Sequence, residues 1–211
     1  MTTTTTTPTT PTTKKGLRTR RRILEGARVV FARDGYVDAR MIGIVHEADV
    51  SAGGLYRYFA NKADVFAAVI EDLHEELYDA SGHTGGSSFQ DDPLGALTAA
   101  NRGYVEHYYA NRDVMRAFIE AAAVDERFRR LWWEMRDRHV RRFVRALRSS
   151  PAAKRIDGVP DELATEAMAC MVEQCCYVWF AHEGMRSAPV DVDDAVRTVT
   201  HAWYSSLFVD S

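Results

Sequence analysis

The sequence predicts an all-α protein, and three observations support this prediction. Apolar residues recur at intervals of three and four along most of the 211-residue chain, and no alternating strand pattern competes with them. Apolar residues make up 46% of the composition, which is enough for a substantial buried core. A loop rich in Gly, Ser and Asp between Ser81 and Pro93 separates four predicted helices from five more. We therefore expect about nine helices.

The N-terminus begins with a low-complexity tract of threonine and proline. Residues 1–13 have too few apolar side chains to form a core, so we expect them to be a disordered tail. A basic run then leads into the first helix, with the residues Lys14, Lys15, Arg18, Arg20, Arg21 and Arg22. Such a run is either a solvated surface or an arm that contacts phosphates. The apolar stripe of the first helix consists of Ile23, Ala27, Val30 and Phe31. Gly35 is expected to end this helix.

The next stretch predicts two short helices joined by a tight turn. The first runs from about Arg40 to Ala48, and Asp38 lies ahead of it as a candidate N-cap. Asp49 occupies the turn, where we expect the backbone to adopt the left-handed conformation. Ser51 is a good N-cap for the following helix, which covers Ala52 to about Phe59.

The second of these helices has one apolar side and one polar side. Leu55 and Phe59, four residues apart, supply its buried side. Its other side is small, hydroxylic and basic, with the residues Ala52, Gly54, Tyr56, Arg57 and Tyr58. Gly53 and Gly54 each lower helix stability by about 1 kcal/mol relative to alanine, and close approach of the backbone to a DNA groove would account for them. A major groove about 12 Å wide admits such a helix. The alternative is a plain helical hairpin with a solvated face.

These residues resemble the DNA-binding domain of the TetR family of bacterial transcriptional regulators, over about residues 18–70. The matching motifs are Gly35-Tyr36, Val50-Ser51, Gly53, Leu55-Tyr56-Arg57-Tyr58-Phe59 and Asn61-Lys62. The resemblance implies a homodimeric regulator, most often a repressor, that binds a palindromic operator in double-stranded DNA. It also implies that a small molecule bound in the body releases the operator.

The resemblance assigns DNA contacts to particular positions. The residues nearest the bases would be Ala52, Gly53, Gly54, Tyr56 and Arg57, with Ser51 at the start of the helix. The phosphates would be held by Arg40, Tyr58, Lys62 and the basic run. The sequence departs from the usual family pattern at three positions, Ala39, Gly43 and Asp49, where Thr, Asp and Gly are common. These departures concern operator sequence and affinity rather than DNA binding itself.

The charge distribution is asymmetric. Residues 14–62 contain 11 Lys and Arg against 5 Asp and Glu, a balance of +6, whereas the rest of the chain contains 16 against 25, a balance of −9. The two values give the net charge of −3. A basic end on an acidic body suits a protein that places one end on a polyanion.

The remaining helices are expected to form the body. The predicted spans are Lys62–Ala80, Pro93–Tyr109, Asp113–Ala123, Asp125–Ser149, Pro160–Glu183 and Val192–Val209. We assign residues 14–62 to a helix-turn-helix DNA-binding domain and residues 63–211 to a helical ligand-binding and dimerisation domain. The helix from Lys62 begins at the DNA-binding end and continues into the body, so it is the natural lever in a rigid-body switch.

Aromatic, Met and a few polar residues recur on the middle helices. Such stripes are either ordinary core or the lining of a mostly apolar cavity whose few polar groups orient a ligand. The candidate lining residues are Asn101, Tyr104, Tyr108, Phe118, Phe128, Trp132, Met135, His139, Met171 and Cys175. An apolar lining favours a lipophilic effector such as a fatty acyl chain, a sterol fragment or a hydrophobic drug.

The last two helices predict a dimer interface. The helix from Pro160 is apolar on nearly every side between Ala167 and Phe180, which indicates burial all round. The last helix adds a stripe of Val192, Val196, Val199, Trp203 and Leu207. A two-fold four-helix interface between two copies would bury both. The alternative is ordinary monomer core.

Other functional classes find little support in the sequence. It contains no Gly-rich phosphate loop, no nucleophile-base arrangement and no metal-ligand spacing, so we expect no enzyme, no cofactor and no metal. The three cysteines, Cys170, Cys175 and Cys176, fall in one helix and are interpreted as core residues, with a redox role as the alternative. No stretch resembles a secretory signal or a membrane span, so a cytoplasmic protein is expected. A helical lipid-binding or small-molecule-binding protein that does not bind DNA is the main alternative.

Overall fold

A computed structural model describes residues 12–208. Within this range the backbone forms nine α-helices and no strand, which confirms the predicted fold class. The helices are α1 Lys14–Asp38, α2 Met41–Glu47, α3 Ala52–Tyr56, α4 Lys62–Ala80, α5 Pro93–Ala110, α6 Arg112–Val124, α7 Glu126–Ser149, α8 Asp161–Cys176 and α9 Val192–Leu207. A π-helical segment, Tyr177–Ala181, and a 3-10 turn, Glu183–Met185, follow α8. Most of the predicted disordered tail, residues 1–11, lies outside the described residues.

The chain divides into two compact units, which differ from the predicted domains. The first unit contains the described residues up to Leu73 together with Asp113–Phe128. The second contains His74–Arg112 and the described residues from Arg129 onward. The division therefore falls inside α4, and α6 belongs to the first unit. The sequence placed the boundary after residue 62, because local periodicity does not reveal which distant helix packs against which.

The helix-turn-helix follows from local backbone preferences. Gly35 has φ 71°, so it breaks α1 near its end as predicted. Asp49 has φ 48° and forms the turn between α2 and α3 in the left-handed conformation. Ser51 is the N-cap of α3, and its hydroxyl accepts a hydrogen bond from the amide of Gly54 at 3.1 Å. The prediction that Asp38 caps α2 is wrong: Asp38 ends α1, and the backbone of Arg40 occupies the N-cap position with no side-chain cap.

An aromatic cluster forms the core of the first unit. Phe66 of α4 lies at its centre, with ring centroids of Phe31 at 4.4 Å, Tyr36 at 4.9 Å, Phe128 at 5.2 Å and Phe118 at 6.5 Å. Such ring pairs add to the burial of apolar area and fix the packing angles of the helices. The cluster ties α6 and the start of α7 to the helix-turn-helix.

Close approach of α1 to α2 also requires a glycine. A Cβ added at Gly26 would lie 2.8 Å from the amide nitrogen and 3.0 Å from the Cα of Ala48. Backbone atoms cannot move aside as a flexible side chain can, so a larger residue at this position would separate the two helices. The packing of α1 against α2 therefore depends on Gly26.

The second unit packs α5 directly against α9. Asn101 and Thr200 are both buried, and the Asn101 side-chain amide donates to the Thr200 hydroxyl at 3.1 Å. Gly103 lets α5 approach the end of α4, because an added Cβ would lie 2.1 Å from the Ala80 carbonyl oxygen. The apolar stripe of α9 faces this interior: Val196, Val199, Trp203 and Leu207 are buried within one protomer. The sequence identified these residues as buried and left two coverings open, a second copy or the monomer core; one protomer already buries them.

No helix within the described range is both long enough and apolar enough to cross a lipid bilayer.

Candidate functional site

The outer surface of α3 carries the residues predicted to read bases. The helix ends at Tyr56, earlier than the predicted Phe59; Leu55 is fully buried and Phe59, just after the helix, is 5% exposed, so both anchor this side in the first unit. The opposite side exposes Ser51, Ala52, Gly53, Tyr56 and Arg57, while Gly54 and Tyr58 are half-buried. Tyr56 is 47% exposed, a high value for an aromatic side chain that makes no ring contact among the described residues. The exposed side chains are small at the N-terminal end of the helix and can form hydrogen bonds at its C-terminal end, which suits contact with base edges.

The two glycines of α3 have different surroundings. A Cβ added at Gly53 would have nothing within 4 Å, so the surface above it is open. A Cβ added at Gly54 would lie 3.0 Å from the Ser51 hydroxyl oxygen that caps the helix. Internal packing therefore explains the glycine at position 54 but not the one at position 53.

Lys62 makes internal contacts that the sequence did not predict. Its ammonium donates to the carbonyl oxygens of Tyr36 at 2.7 Å and Val37 at 2.8 Å, and it lies 4.8 Å from the centroid of the Tyr36 ring. Partial burial lowers the pKa of Lys62, and the charge of Asp38 opposes this effect. Lys62 thus connects the start of α4 to the end of α1. Its phosphate contact stays a prediction, as does that of Arg40, whose side chain is exposed.

The basic run lies within α1, which begins at Lys14 after the N-cap Thr13. Arg22 caps the end of α2, because its guanidinium donates to the carbonyl oxygen of Ala48 at 3.0 Å and also to that of Asp49. Arg20 lies over the Phe59 ring at 5.6 Å. The side chains of Lys14, Lys15, Arg18 and Arg21 are exposed. The run is therefore partly structural, and its phosphate contacts stay a prediction for the exposed side chains.

The second unit brings several of the predicted ligand-binding residues together. The Tyr104 ring stacks on Tyr108 at 6.3 Å between centroids and lies nearly perpendicular to the His139 ring, 6.1 Å from it between centroids. Burial raises the pKa of both tyrosines well above the usual value, so both phenols stay protonated. The Tyr108 hydroxyl is buried and has no hydrogen-bond partner among the described residues. These three rings provide an apolar surface with polar atoms at defined points.

Trp132 is held by a half-buried carboxylate. Its Nε1 donates to Glu173 at 2.5 Å, and the Arg136 guanidinium donates to the other carboxylate oxygen at 2.5 Å. Arg136 also lies over the Trp132 ring at 5.0 Å. Burial raises the pKa of Glu173, while Arg136 and the Trp132 hydrogen bond oppose the rise. The indole is therefore fixed in orientation between α7 and α8.

The other predicted ligand-binding residues have different surroundings. Phe118 and Phe128 belong to the aromatic core of the first unit, so the structure does not group them with Tyr104 and His139. Asn101 is engaged with Thr200 in the packing of α5 against α9. The half-buried residues are Met135, Met171 and Cys175. Burial raises the pKa of the Cys175 thiol, which disfavours the reactive thiolate.

Sequence reasoning missed four residues around His139. His74 and Tyr78 lie one turn apart on α4, and their ring centroids are 5.0 Å and 5.2 Å from that of His139. Arg138 and Arg142 of α7 both lie over the Tyr78 ring, at 3.8 Å and 3.9 Å. The only sequence signal for this cluster was the i, i+4 spacing of His74 and Tyr78 beside the apolar Leu73 and Leu77. That spacing did not identify the cluster, because it is equally typical of residues at the boundary between the buried and exposed faces of an amphipathic helix.

Within residues 12–208, no group of three or more His, Cys, Asp or Glu side chains could hold a metal ion.

Comparison with known protein families decides the identity. Residues 23–69 match the family model described as bacterial regulatory proteins, tetR family. Residues 97–209, more than half of the chain, match the model described as transcriptional regulator EthR, C-terminal domain. The chain belongs to the TetR family. It is therefore a helix-turn-helix DNA-binding regulator of transcription, and its family consists of regulators rather than enzymes.

Individual TetR-family relatives match over different lengths. A segment of 79 residues is 33% identical to the HTH-type transcriptional regulator TtgR of Pseudomonas putida, covering 37% of each chain. The chain thus spans little more than a third of the length of this curated relative. A TetR-like regulator from a Rhodococcus species has a TM-score of 0.66 and 22% identity, covering 89% of this chain and 95% of its own. SmeT, the repressor of the Stenotrophomonas maltophilia multidrug efflux pump SmeDEF, has a TM-score of 0.68 and 17% identity, covering 91% of each chain. These likenesses show the shared fold.

Proposed function

We propose that the protein is a homodimeric, ligand-responsive repressor that binds a palindromic operator and is released by a lipophilic small molecule. The single observation that supports it most is the exposed surface of α3, where Tyr56 and Arg57 stand beside an uncovered Gly53 while Leu55 anchors the helix from behind. Repression is favoured because the structural neighbour SmeT is a repressor. Operator DNA lies in the bacterial cytoplasm, so we place the activity there.

The proposed contacts with DNA follow from the exposed side of α3. Ala52 and Gly53 have little or no side chain, so they let the helix backbone approach the base edges of the major groove. Tyr56 and Arg57 would donate hydrogen bonds to bases at the other end of the helix. Arg40 and Tyr58 would contact phosphates, which position the helix without reading sequence.

Dimerisation is supported by an exposed stripe on α8. Along one side of α8 and the π-helical segment, the exposed residues are Leu163, Ala167, Cys170, Gln174 and Val178. Their spacing of three and four puts them on one face, and four of the five are apolar. A second copy is the proposed occupant, since one helix-turn-helix binds weakly and two half-sites require two heads. The exposed side of α9, with Arg197, His201 and Ser205, would complete a four-helix interface.

Dimerisation can be tested with a matched pair of substitutions. Ala167→Glu would place two carboxylates inside the proposed interface, so we expect sedimentation to show a monomer. Met185→Glu changes an 85% exposed apolar residue outside α8 and should leave the dimer intact. A wild-type monomer at micromolar concentration, or dimers of both variants, would contradict the proposed interface.

The effector is proposed to bind in the second unit beside Tyr104, Tyr108, Trp132 and His139. Their aromatic rings provide apolar area, and the few polar atoms among them would orient a ligand. α4 contributes His74 to the same cluster and carries the helix-turn-helix at its other end. An effector that binds one orientation of α4 better than another would change operator affinity by that difference in binding free energy.

The operator can be found without knowing the regulated genes. A random library of double-stranded DNA is passed over the immobilised full-length protein at physiological salt with unrelated competitor DNA, and the retained sequences are determined. We expect an inverted repeat whose half-sites lie about one helical turn apart. Enrichment of a single half-site would contradict the dimeric mode. Retention without sequence enrichment would reduce the interaction to electrostatic binding and favour a non-DNA function for the second unit.

A further inference from the structure

Two histidines meet inside the second unit and leave the same ring atom without a partner. The rings of His74 on α4 and His139 on α7 are 5.0 Å apart between centroids and nearly perpendicular, at 82°. The Nε2 atoms of both are buried and have no hydrogen-bond partner among the described residues. Buried polar atoms are nearly always hydrogen-bonded in folded proteins, so such a pair requires an explanation. The rings of Tyr78 and Tyr104 flank His139, with centroid distances of 5.2 Å and 6.1 Å.

The neighbours of each ring determine which nitrogen carries the proton. The backbone of Met135 favours the protonated ring of His74, and Nε2 of His74 has no partner among the described residues, so we infer that its proton lies on Nδ1. The Nδ1 of His139 faces the Arg142 guanidinium at 3.5 Å. A guanidinium only donates, so the His139 Nδ1 must accept and its proton lies on Nε2. The buried Nε2 atoms therefore differ: the one on His74 accepts a hydrogen bond, and the one on His139 donates.

Burial, and then the charges around the pair, keep both rings neutral. Arg138 is paired with Glu75, and Arg142 donates to the Tyr78 carbonyl and to the Ser81 hydroxyl at 2.5 Å. Burial, and then the nearby positive charges, lower the pKa of His74 to about 4 and that of His139 to about 3. A cationic group would meet two guanidiniums here. A carboxylate would accept from His139 but present a lone pair to the accepting nitrogen of His74.

We propose that His74 and His139 together bind one neutral group that both donates and accepts a hydrogen bond, namely a hydroxyl or a carboxamide at the polar end of the effector. The inference rests on the proposed function, because it specifies the effector of the same site. The group donates to Nε2 of His74 and accepts from Nε2 of His139. Since His74 belongs to α4, the effector contacts the helix that continues into the helix-turn-helix.

The test uses four probes that share a decyl chain and differ only in the polar end. The probes are 1-decanol, decyl methyl ether, decanoate and decyltrimethylammonium, each titrated below its aggregation concentration into the full-length protein while tryptophan fluorescence is recorded. We expect 1-decanol to bind about tenfold or more tightly than the ether, because the ether cannot donate to Nε2 of His74 and leaves this buried acceptor without a partner. The ether can only accept. Decanoate and decyltrimethylammonium are expected to bind less tightly than 1-decanol.

Three variants assign the two hydrogen bonds to the two rings. His74→Phe and His139→Phe keep a planar ring and remove the polar atoms. His74→Phe should reduce the preference for 1-decanol over the ether to about threefold or less, because only His74 accepts the proton that the ether lacks, whereas His139→Phe should weaken both probes and leave the preference in place. His83→Asn is the matched control, because His83 is exposed in the loop after α4. Nitrogen-15 chemical shifts of the histidine rings at pH 7 should show the Nδ1-protonated form of His74 and the Nε2-protonated form of His139.

The outcomes separate this inference from the proposed function. Equal affinity for 1-decanol and the ether, tighter binding of decanoate, or the opposite ring tautomers would overturn the inference while leaving a lipophilic effector site in place. If none of the four probes binds saturably, the lipophilic effector site itself is refuted. The wild-type titrations and the ring tautomers decide the matter even if a Phe variant does not fold.

Discussion

Replacing Gly53 with alanine tests whether the glycine is required by the fold of the free protein or by the contact of α3 with DNA. Gly53 lies inside α3 with a negative φ, and an added Cβ has nothing within 4 Å in the free protein. Alanine favours the helical state over glycine by about 0.5–1 kcal/mol. The free energy of unfolding of the variant should therefore rise by about that amount.

The same methyl group should weaken operator binding. If the α3 backbone approaches base edges as closely as we propose, the methyl group occupies space that the groove needs. Overpacking of a close contact by one carbon costs about 1–3 kcal/mol, which corresponds to a loss of operator affinity of about 5-fold to 150-fold. The variant should thus be more stable and yet a weaker DNA binder, a combination that a folding defect cannot produce.

Gly43→Ala provides the control for this experiment. Gly43 lies in α2, and an added Cβ would be 3.7 Å from Val30, an ordinary van der Waals distance inside the first unit. Its stability should rise by a similar amount with no change in operator affinity. The measurements are urea unfolding and fluorescence anisotropy with the enriched operator duplex at physiological salt. Operator affinity of Gly53→Ala equal to or tighter than that of wild type would refute the close approach of α3 to the groove.

Four further predictions concern single side chains. Tyr56→Ala removes an exposed hydroxyl and ring, so operator affinity should fall about tenfold or more while the unfolding midpoint stays within experimental error; unchanged anisotropy would exclude Tyr56 from the interface. The pKa of His139 is lowered from 6.5 to about 3 by burial, so the folded state binds fewer protons than the unfolded state below pH 6.5 and stability falls as the pH drops from about 6.5 toward 3. The loss from this group at pH 5 is at most about 2 kcal/mol, and urea unfolding of His139→Phe should show a smaller decrease between pH 7 and pH 5; equal decreases would mean that His139 titrates normally. Trp132→Phe removes the donor to Glu173, so it should weaken 1-decanol binding more than operator binding, and an equal loss of both would mark Trp132 as core alone. Gly103→Ala would place a Cβ 2.1 Å from the Ala80 carbonyl oxygen, and thermal unfolding should show a loss of about 1–3 kcal/mol; an unchanged melting temperature would contradict the close approach of α5 to the end of α4.

The sequence predicted best where neighbouring residues decide the structure. Asp49 in the turn, Ser51 as the cap of α3 and Gly35 at the break of α1 depend on backbone conformation and on hydrogen bonds three residues apart. These preferences are readable without knowing the rest of the fold. The exposed surface of α3 could be located for the same reason. Periodicity alone also placed Leu55 on the buried side.

The sequence failed where partners are distant. The stripe of α9 that includes Val199 was correctly expected to be buried, but periodicity does not tell whether the covering surface is α5 or a second copy. The hydrogen bonds of Lys62 to the carbonyl oxygens of Tyr36 and Val37 were missed, because backbone acceptors are not visible in a side-chain pattern; the phosphate contact of Lys62 stays a prediction. The pairing of His74 with His139 spans 65 positions of the chain, so its polar atoms could be recognised only after folding.

The free energies involved limit what the histidine pair can do by itself. Moving a regulator from about 1% to about 99% of its released state requires an effector that prefers that state by about 5.5 kcal/mol. Two neutral hydrogen bonds to His74 and His139 would contribute about 1–3 kcal/mol of preference even if both were made in one state only. The remaining amount, about 2.5–4.5 kcal/mol, corresponds to about 100–180 Å² of apolar area that is buried in one state and not in the other. The hydrogen bonds to the histidine pair would therefore decide which effector is accepted, whereas the apolar body, against Tyr104 and Tyr108, would supply about half or more of the switching free energy.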